Sequence, residues 1–452
     1  MDLHLWLARA FWPMPLLLLV GCATTGRGSY ESMRSDVDRG AVSNADDERA
    51  LAGGVLDRAA YVRAVVHRNP SIEAARGGFR AAVARVRQAG ALEDPMVTVQ
   101  VAPLSVGSSA ARFGYDAMIS QKLPWPGKLG LEEAVARAEA EAAKSDFEAT
   151  RRELALTAAL LYDEYFIAVR SLEINAQHVA LMKELKAAAL AQFETGRGSA
   201  QDPLQAEAEL AHLEHDAVIL ASQRDVTVAQ MNELLHRDPE LPLPPPTKDL
   251  VLPNAPDVAD AKRLADVAVA KRPEIEAARL HTRAEQARGE RADKESYPDV
   301  TISTSYNSMW DMPEHRWMVG LGFNVPIQLS RRAGGVEEAD AARAKYESEV
   351  ASLTDKVRAE VVIARKRLEE AHHVVKLFEE RLLPVARTQI DAARAGLVAS
   401  RNDFVAVVSA EKNLRSVELE YQMARATLDR RRAELDRALG RIPGLDEQGG
   451  AP

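Results

Sequence analysis

The 452-residue sequence is poor in several things, and each shortage removes a class of function. It has one cysteine, Cys22. A single thiol cannot close an internal disulfide or build a thiolate metal cage. The flanking stretch PLLLLVGCATT, Pro15 to Thr25, holds no histidine or basic residue to activate that thiol as a nucleophile. Aromatic residues are only 5% of the chain, low for the core of a globular enzyme. Basic residues are not in excess: 58 Lys and Arg stand against 67 Asp and Glu. The basic footprint of a nucleic-acid binder is therefore missing. Beyond the N-terminal stretch no apolar run reaches the ~18 residues of a membrane-spanning helix, so any crossing must be made by strands. There is no P-loop or Gly-rich phosphate cradle, no cofactor is expected, and no catalytic constellation stands out.

What is present begins with a short secretion signal. Arg9 precedes an apolar run, Phe11 to Val20, which ends in small residues. Leu19-Val20-Gly21-Cys22 resembles a bacterial lipobox. That resemblance implies cleavage before Cys22 and its acylation (a palmitoylated lipoprotein). With Ala23 following, it also implies sorting to the outer membrane. The alternative is an ordinary signal peptide with an incidental cysteine. On the first reading residues 1–21 are the signal peptide and 22–56 a lipid-anchored extended segment.

The mature chain reads as a tandem duplication. NPSIEAAR, from Asn69, recurs as RPEIEAAR, from Arg272, an offset of 203. At the same offset DPMVTVQV, from Asp94, meets YPDVTIST, from Tyr297. With small insertions LPWPGKLGLEEA meets VPIQLSRRAGGVEEA, and ETGRGSAQD meets RAGLVASRND. Four motifs in one order are not chance. The repeats are 57–237 and 260–440. A proline-rich equatorial linker, 238–259, separates them, and 441–452 is a flexible tail.

Each repeat predicts a helix (about 57–92 and 260–296), two strands, a very long helix (about 129–195 and 334–395), a glycine-containing turn and a shorter returning helix (about 201–236 and 402–439). Pro384 should kink the second long helix. Each strand is expected to run about ten residues, the length of a tilted membrane-crossing strand. Trp317, Val319, Leu321, Phe323 and Val325 alternate with polar or small residues, as do Phe113, Tyr115, Ala117 and Ile119, and Val97, Val99 and Val101. A soluble half-buried sheet has the same period. Two hairpins cannot close a barrel, and lipid does not tolerate open edges, so a membrane reading needs several chains. The long helices are about 100 Å at 1.5 Å per residue, and the short ones cover about half of that. They are rich in alanine, which suits close-packed helices and not a leucine-heptad seam.

With these features the mature chain resembles the outer-membrane efflux protein family, the TolC-like channels. The carriers are the duplication, the two strand pairs, QKLPWPGK (Gln121 to Lys128) leading into the long helix, and the tips FETG and ARAG. The resemblance implies a mainly α fold with a small transmembrane β portion. Long antiparallel helical rods would form an α-barrel, the periplasmic tunnel. Four strands per protomer would contribute to a trimeric 12-stranded β-barrel. It implies a homotrimer in the cell outer membrane with its lipid, acting with a periplasmic adaptor (membrane fusion) protein and an inner-membrane efflux pump. The function expected is a passive exit duct of a tripartite efflux system for drugs or metal ions, without enzymatic activity. The rival readings are a periplasmic adaptor and a lipid-anchored structural lipoprotein without a pore. An adaptor predicts one helical hairpin, not two hairpins each introduced by its own strand pair.

Candidate site residues follow. Cys22 is the lipidation site. Asp202 and Asp403 stand just after the two turns, where they either cap the returning helices or line a constriction. The resemblance implies the second role for Asp403 with Arg401. The turns, Gly196, Arg197, Gly198 and Gly396, Leu397, Ser400, are the expected adaptor-docking tips. Trp310 and Trp317 read as interfacial aromatics, with Trp125 in the opposite belt. The alternative for that loop is a soft-metal site of Met309, Met312, His315 and Met318. His212 with His215, and His372 with His373, read as solvated surface.

Overall fold

The computed structural model describes residues 31–35, 49, 51–107, 109, 112–250, 261–399 and 403–445. The signal peptide, Cys22, most of the 22–56 segment, the end of the linker, Ser400, Arg401 and most of the tail lie outside the described residues. In chain order the elements are α1 (Arg58–Arg68), α2 (Pro70–Ala89), β1 (Met96–Val101), β2 (Tyr115–Leu123), α3 (Lys128–Glu194), α4 (Gln201–Leu234), α5 (Ala261–Lys271), α6 (Pro273–Lys294), β3 (Val300–Asn307), β4 (Trp317–Phe323), α7 (Leu329–Leu377), α8 (Leu383–Val398) and α9 (Phe404–Ala438).

Two expectations about helices are corrected by proline. The first helix of each repeat is broken, at Asn69–Pro70 and at Arg272–Pro273. Proline brings no N–H and pushes the preceding residue out of the helical region. Asn69 has ψ 126°, and its side chain accepts from Ser71 N at 3.0 Å, starting α2 afresh. In the second long helix, Pro384 is preceded by a π-helical turn, Phe378–Leu382. Leu383 N donates to Phe378 O across five residues, and this wider turn takes up the register around a residue without a donor.

The chain divides into two compact units, each drawing on both repeats. The first comprises residues 1–40, 75–146 and 274–352. It holds one antiparallel sheet of order β1-β2-β3-β4, so β2 and β3 join the repeats and β1 and β4 are edges. The strands are six, nine, eight and seven residues, shorter than the ten expected. Pro103 follows β1 and Pro326 follows β4, and each lacks the donor a longer ladder needs. Beside the sheet, Phe79, Val83 and Val86 of α2 pack on Ala136 and Ala140 of α3, and Leu280 of α6 packs on Ala142. Alanine on one side is what lets these helices approach closely.

The second unit comprises residues 41–74, 147–273 and 353–452. Its core gathers Tyr61, Val62, Val65, Tyr162, Phe166, Met231, Leu235 and Ala426. The three tyrosines of this core each have a bonded hydroxyl. Tyr61 donates to Met231 O at 3.3 Å, Tyr162 to Leu56 O at 2.8 Å and Tyr165 to Pro244 O at 3.1 Å. The described part of the proline-rich segment is thereby tied to the middle of α3. Arg170 reinforces the tie by donating to Thr247 O at 2.9 Å. Beneath it Arg58 grips the fully buried Asp163 through two hydrogen bonds of 3.0 and 2.9 Å.

On α7 the buried residues Val357, Val361, Ala364, Leu368, Ala371 and Val375, followed by Phe378 at the start of the π turn, recur at alternating spacings of four and three. That is a heptad seam filled mostly with Val and Ala. The π turn adds one residue, and the stripe resumes at Leu383, Ala386, Ile390 and Ala393 of α8. The seam was not expected, because small residues hide it in a leucine-based search.

Candidate functional site: a two-faced sheet and two helical tips

The register sorts the sheet into two chemically distinct faces. One carries the rows Val99–Ala117–Tyr306–Trp317, Val97–Ile119–Thr304–Val319 and Leu123–Val300–Phe323. The other carries Gln100–Asp116–Asn307, Thr98–Met118–Ser305–Met318 and Met96–Ser120–Ser303–Gly320. On the second face Asn307 donates to Asp116 at 3.0 Å, and Ser303 Oγ lies where a side chain on Gly320 would have to go. The apolar face is uncovered: Val319 is 80% exposed and Trp317 68%. A water-soluble sheet would bury this face.

Both ends of the apolar face carry aromatics. At one end Phe113, Tyr115, Tyr306 and Trp317 form a ladder with centroid steps of 5.8, 5.8 and 5.3 Å, and Trp310 stands beyond it against His315. At the other end Trp125 stacks on Tyr297 at 5.1 Å. Sequence reading found the tryptophans but not the tyrosine ladder, because strand register decides which tyrosines are neighbours. The nine residues of β2 make about 30 Å of strand at ~3.3 Å each. A tilt of about 40° brings that close to the ~25 Å apolar band of an outer-membrane barrel.

At the sheet's lower margin PWPGK is held by one carboxylate. Asp299 Oδ1 accepts from Lys128 Nζ at 2.8 Å and from Trp125 N at 2.9 Å, and Lys128 also donates to Tyr297 O at 3.3 Å. Gly127, with φ +91°, is the left-handed step that turns the chain from Trp125 into α3.

The two tips are built differently. After α3, Arg197 N donates to Gln192 O at 2.8 Å and Gly196 N to Phe193 O at 2.9 Å, with Gly196 at φ +73°. This is a Schellman closure, which requires glycine for an unstrained left-handed residue. Arg197 is exposed and Gly198 half-buried. Ser199 Oγ then accepts from Gln201 N and Asp202 Oδ2 from Ser199 N, each at 3.2 Å, a reciprocal capping arrangement. The Asp202 carboxylate is thus engaged in starting α4. Asp403 occupies the cap of α9, but its side chain makes no capping hydrogen bond and is exposed. Gly396 and Leu397, expected in the turn, lie in the last turn of α8, and Leu397 packs toward Ile390 and Val407.

Met309 packs over Gly114, and both Met309 and Met312 are exposed. His212 and His215 are exposed, and His215 faces Asp216 at 3.6 Å. Of His372 and His373 the first is half-buried and the second exposed. Among the described residues no cluster of three His, Cys, Asp or Glu is placed to hold a metal ion.

Comparison with known proteins adds an independent line. Residues 264–441 match the outer membrane efflux protein family. That match covers most of the second repeat. Among solved structures it resembles the channel CusC, with TM-score 0.73 and 16% identity over 88% of this chain and 95% of that one. It also resembles the open-state outer membrane channel MtrE of Neisseria gonorrhoeae, with TM-score 0.71 and 16% identity over 87% and 91%. At these identities the likeness is one of fold: long helices with a four-stranded antiparallel sheet, as in the TolC-like channels. A curated relative, the cobalt-zinc-cadmium resistance protein CzcC of Cupriavidus metallidurans, is 25% identical over 150 residues. That match spans 32% of this chain and 34% of the relative, about a third of each. The outer membrane efflux protein family is one of channels, not of enzymes.

Proposed function

We propose that this chain is the outer-membrane channel of a tripartite efflux system, a passive duct with no catalytic step. The observation that carries the reading is the uncovered apolar face on a sheet with two free edges. Lipid accepts the face but not the edges, since an unpaired backbone N–H or C=O in hydrocarbon costs several kcal/mol. A lone sheet of four strands satisfies neither water nor lipid. Three copies, pairing β4 of each with β1 of the next, make a closed 12-stranded barrel with the polar face inward. The helices form the periplasmic tunnel, and exposed apolar positions such as Val218, Ile219 and Val226 on α4 are contacts between copies.

In this reading Cys22 is acylated and holds the N-terminus at the inner leaflet, and the two repeats 57–237 and 260–440 supply equivalent rods. The tips dock a periplasmic adaptor beneath which the inner-membrane pump works. Trp125, Trp310 and Trp317 lie at the two interfaces. Asp403, with Arg401 beside it, lines the constriction and Asp202 caps. The name of the cobalt-zinc-cadmium relative favours metal ions over drugs as cargo.

The test is assembly. Full-length protein expressed with its signal should fractionate with outer membranes as a trimer that dissociates on heating. A monomer that stays in the soluble periplasmic fraction would overturn the reading.

A further inference from the structure

In the second unit, α3 and α9 are joined by charged side chains that the duct itself does not require. His178 on α3 and Glu411 on α9 are both buried. The ring's Nδ1 lies 2.5 Å from Glu411 Oε1, and its Nε2 lies 3.0 Å from Glu418 Oε2, two turns further along α9. A neutral imidazole carries one N–H and satisfies only one of these carboxylates, whereas the protonated ring donates to both. The geometry therefore selects the charged ring. Glu411 depends on it strongly: its second oxygen is buried with no hydrogen-bond partner.

The surrounding charges are largely committed elsewhere. On α9, Arg415 pairs with Asp216 of α4 at 3.1 Å, and Lys412 pairs with Glu209 of α4. Asp216 also faces His215 at 3.6 Å. From α8, Arg387 approaches Glu418 at 4.0 Å, from the exposed side. On α3, Asn175 gives its amide to Leu213 O at 3.0 Å and faces neither glutamate as a donor.

We infer that His178 is a proton-dependent clamp that holds the N-terminal half of α9 against α3, and that loss of its proton frees the end of α9 that carries Asp403. The consequence for conduction rests on the proposed channel function; the clamp itself does not. Glu411 is eight residues from Asp403, about 12 Å along the helix. Without the proton two carboxylates face a neutral ring, and the buried one loses its counter-charge. Burial works against the charge on His178, but the hydrogen bonds and charges of Glu411 and Glu418 outweigh it and push the pKa up to about 9. A group raised in this way stabilises the fold fully below its ordinary value near 6.5, and the contribution disappears as pH rises through about 9. The clamp is closed at neutral and acid pH and opens in alkali.

The experiment is thermal unfolding of the purified full-length protein from pH 6 to pH 10, paired with single-channel recording. Wild type should lose Tm relative to His178→Gln as pH rises through about 9, so that the gap, widest near pH 6, closes near pH 10. Parallel Tm curves for the two proteins would overturn the clamp. Should His178→Gln fail to fold, Glu418→Gln serves: it should move the wild-type transition at least one pH unit lower, and an unmoved transition would overturn the clamp. In recording, wild-type conductance should rise across the same alkaline window, and His178→Gln should already show the raised level at pH 7. A Tm gap that closes with pH as expected, with no such conductance change, would overturn the link to Asp403. Protein that forms no channels at all contradicts the channel function, while the Tm comparison still decides the clamp.

Discussion

Lys128 Nζ sits 2.8 Å from Asp299 Oδ1, with the two side chains 5% and 13% exposed. The pair joins the start of α3, in the first repeat, to the residue before β3, in the second. Asp299 holds the Trp125 amide as well, and its own amide donates to Asn324 Oδ1 at 2.5 Å. One carboxylate thus fixes the point where both strand pairs give way to helices. Removing the cation alone leaves a nearly buried charge, with Lys122 4.0 Å away as partial relief. Lys128→Met should destabilise by about 3 kcal/mol. Lys128→Met with Asp299→Asn should cost clearly less than the sum of the two singles. Denaturant unfolding of the four proteins checks this.

Val319 and Met318 are neighbours in sequence on opposite faces of β4. Arginine at Val319 meets lipid near the middle of the sheet and should cost about 2–4 kcal/mol of membrane-folded stability. Arginine at Met318 meets the polar face and should leave assembly within about 1 kcal/mol of wild type. Heat-modifiability of the trimer and its yield in outer membranes measure the contrast. Equal loss from both would mean that the faces are not lipid and lumen.

Among the described residues, His236 is the one positive-φ residue other than glycine, at φ 53°. It follows α4, where Arg237 N donates to Asn232 O at 2.9 Å. After α9 the same bonds form with Gly440 in that position, at φ +75°. An L side chain in this region costs about 1 kcal/mol that glycine does not. His236→Gly should therefore raise stability by up to about 1 kcal/mol, seen as a higher midpoint in denaturant.

Much of the architecture is legible in the sequence. The long helix expected at about 129–195 is Lys128–Glu194, and the returning helices end within two residues of expectation. Alanine-rich, charge-spread stretches whose glycine and proline, Gly130 and Pro203, are confined to the first turn leave few other options. The misread points are those where a local feature overrides periodicity. Pro70 and Pro273 break helices whose apolar spacing runs on unbroken through them. The Val and Ala seam of α7 does not look like a seam until a partner helix covers it. At the site, the aspartates at both tips were visible as cap or gate. At the first tip Ser199, three residues before Asp202, completes a reciprocal cap; Ser400 has the same spacing from Asp403 but lies outside the described residues. His178 was not singled out at all: its two carboxylates are 233 and 240 residues away in sequence, and only packing brings them to the ring.

Because Asp202 makes a capping bond at the first tip and Asp403, among the described residues, makes none at the second, their alanine variants should differ in kind. Asp202→Ala should lower stability by about 0.5–1 kcal/mol and leave conduction unchanged. Asp403→Ala should leave stability within about 0.5 kcal/mol, since it removes an exposed side chain without a capping bond. Thermal melts of the two variants, alongside current recordings, separate the roles.

The central claim is that copies of this chain close into a water-filled duct, and planar-bilayer recording of the purified full-length protein tests it most directly. The account predicts stepwise channels whose cation preference falls in Asp403→Ala, as expected when three carboxylates around one axis are removed. Protein that inserts into the bilayer yet never yields stepwise current, in wild type and Asp403→Ala alike, would contradict it.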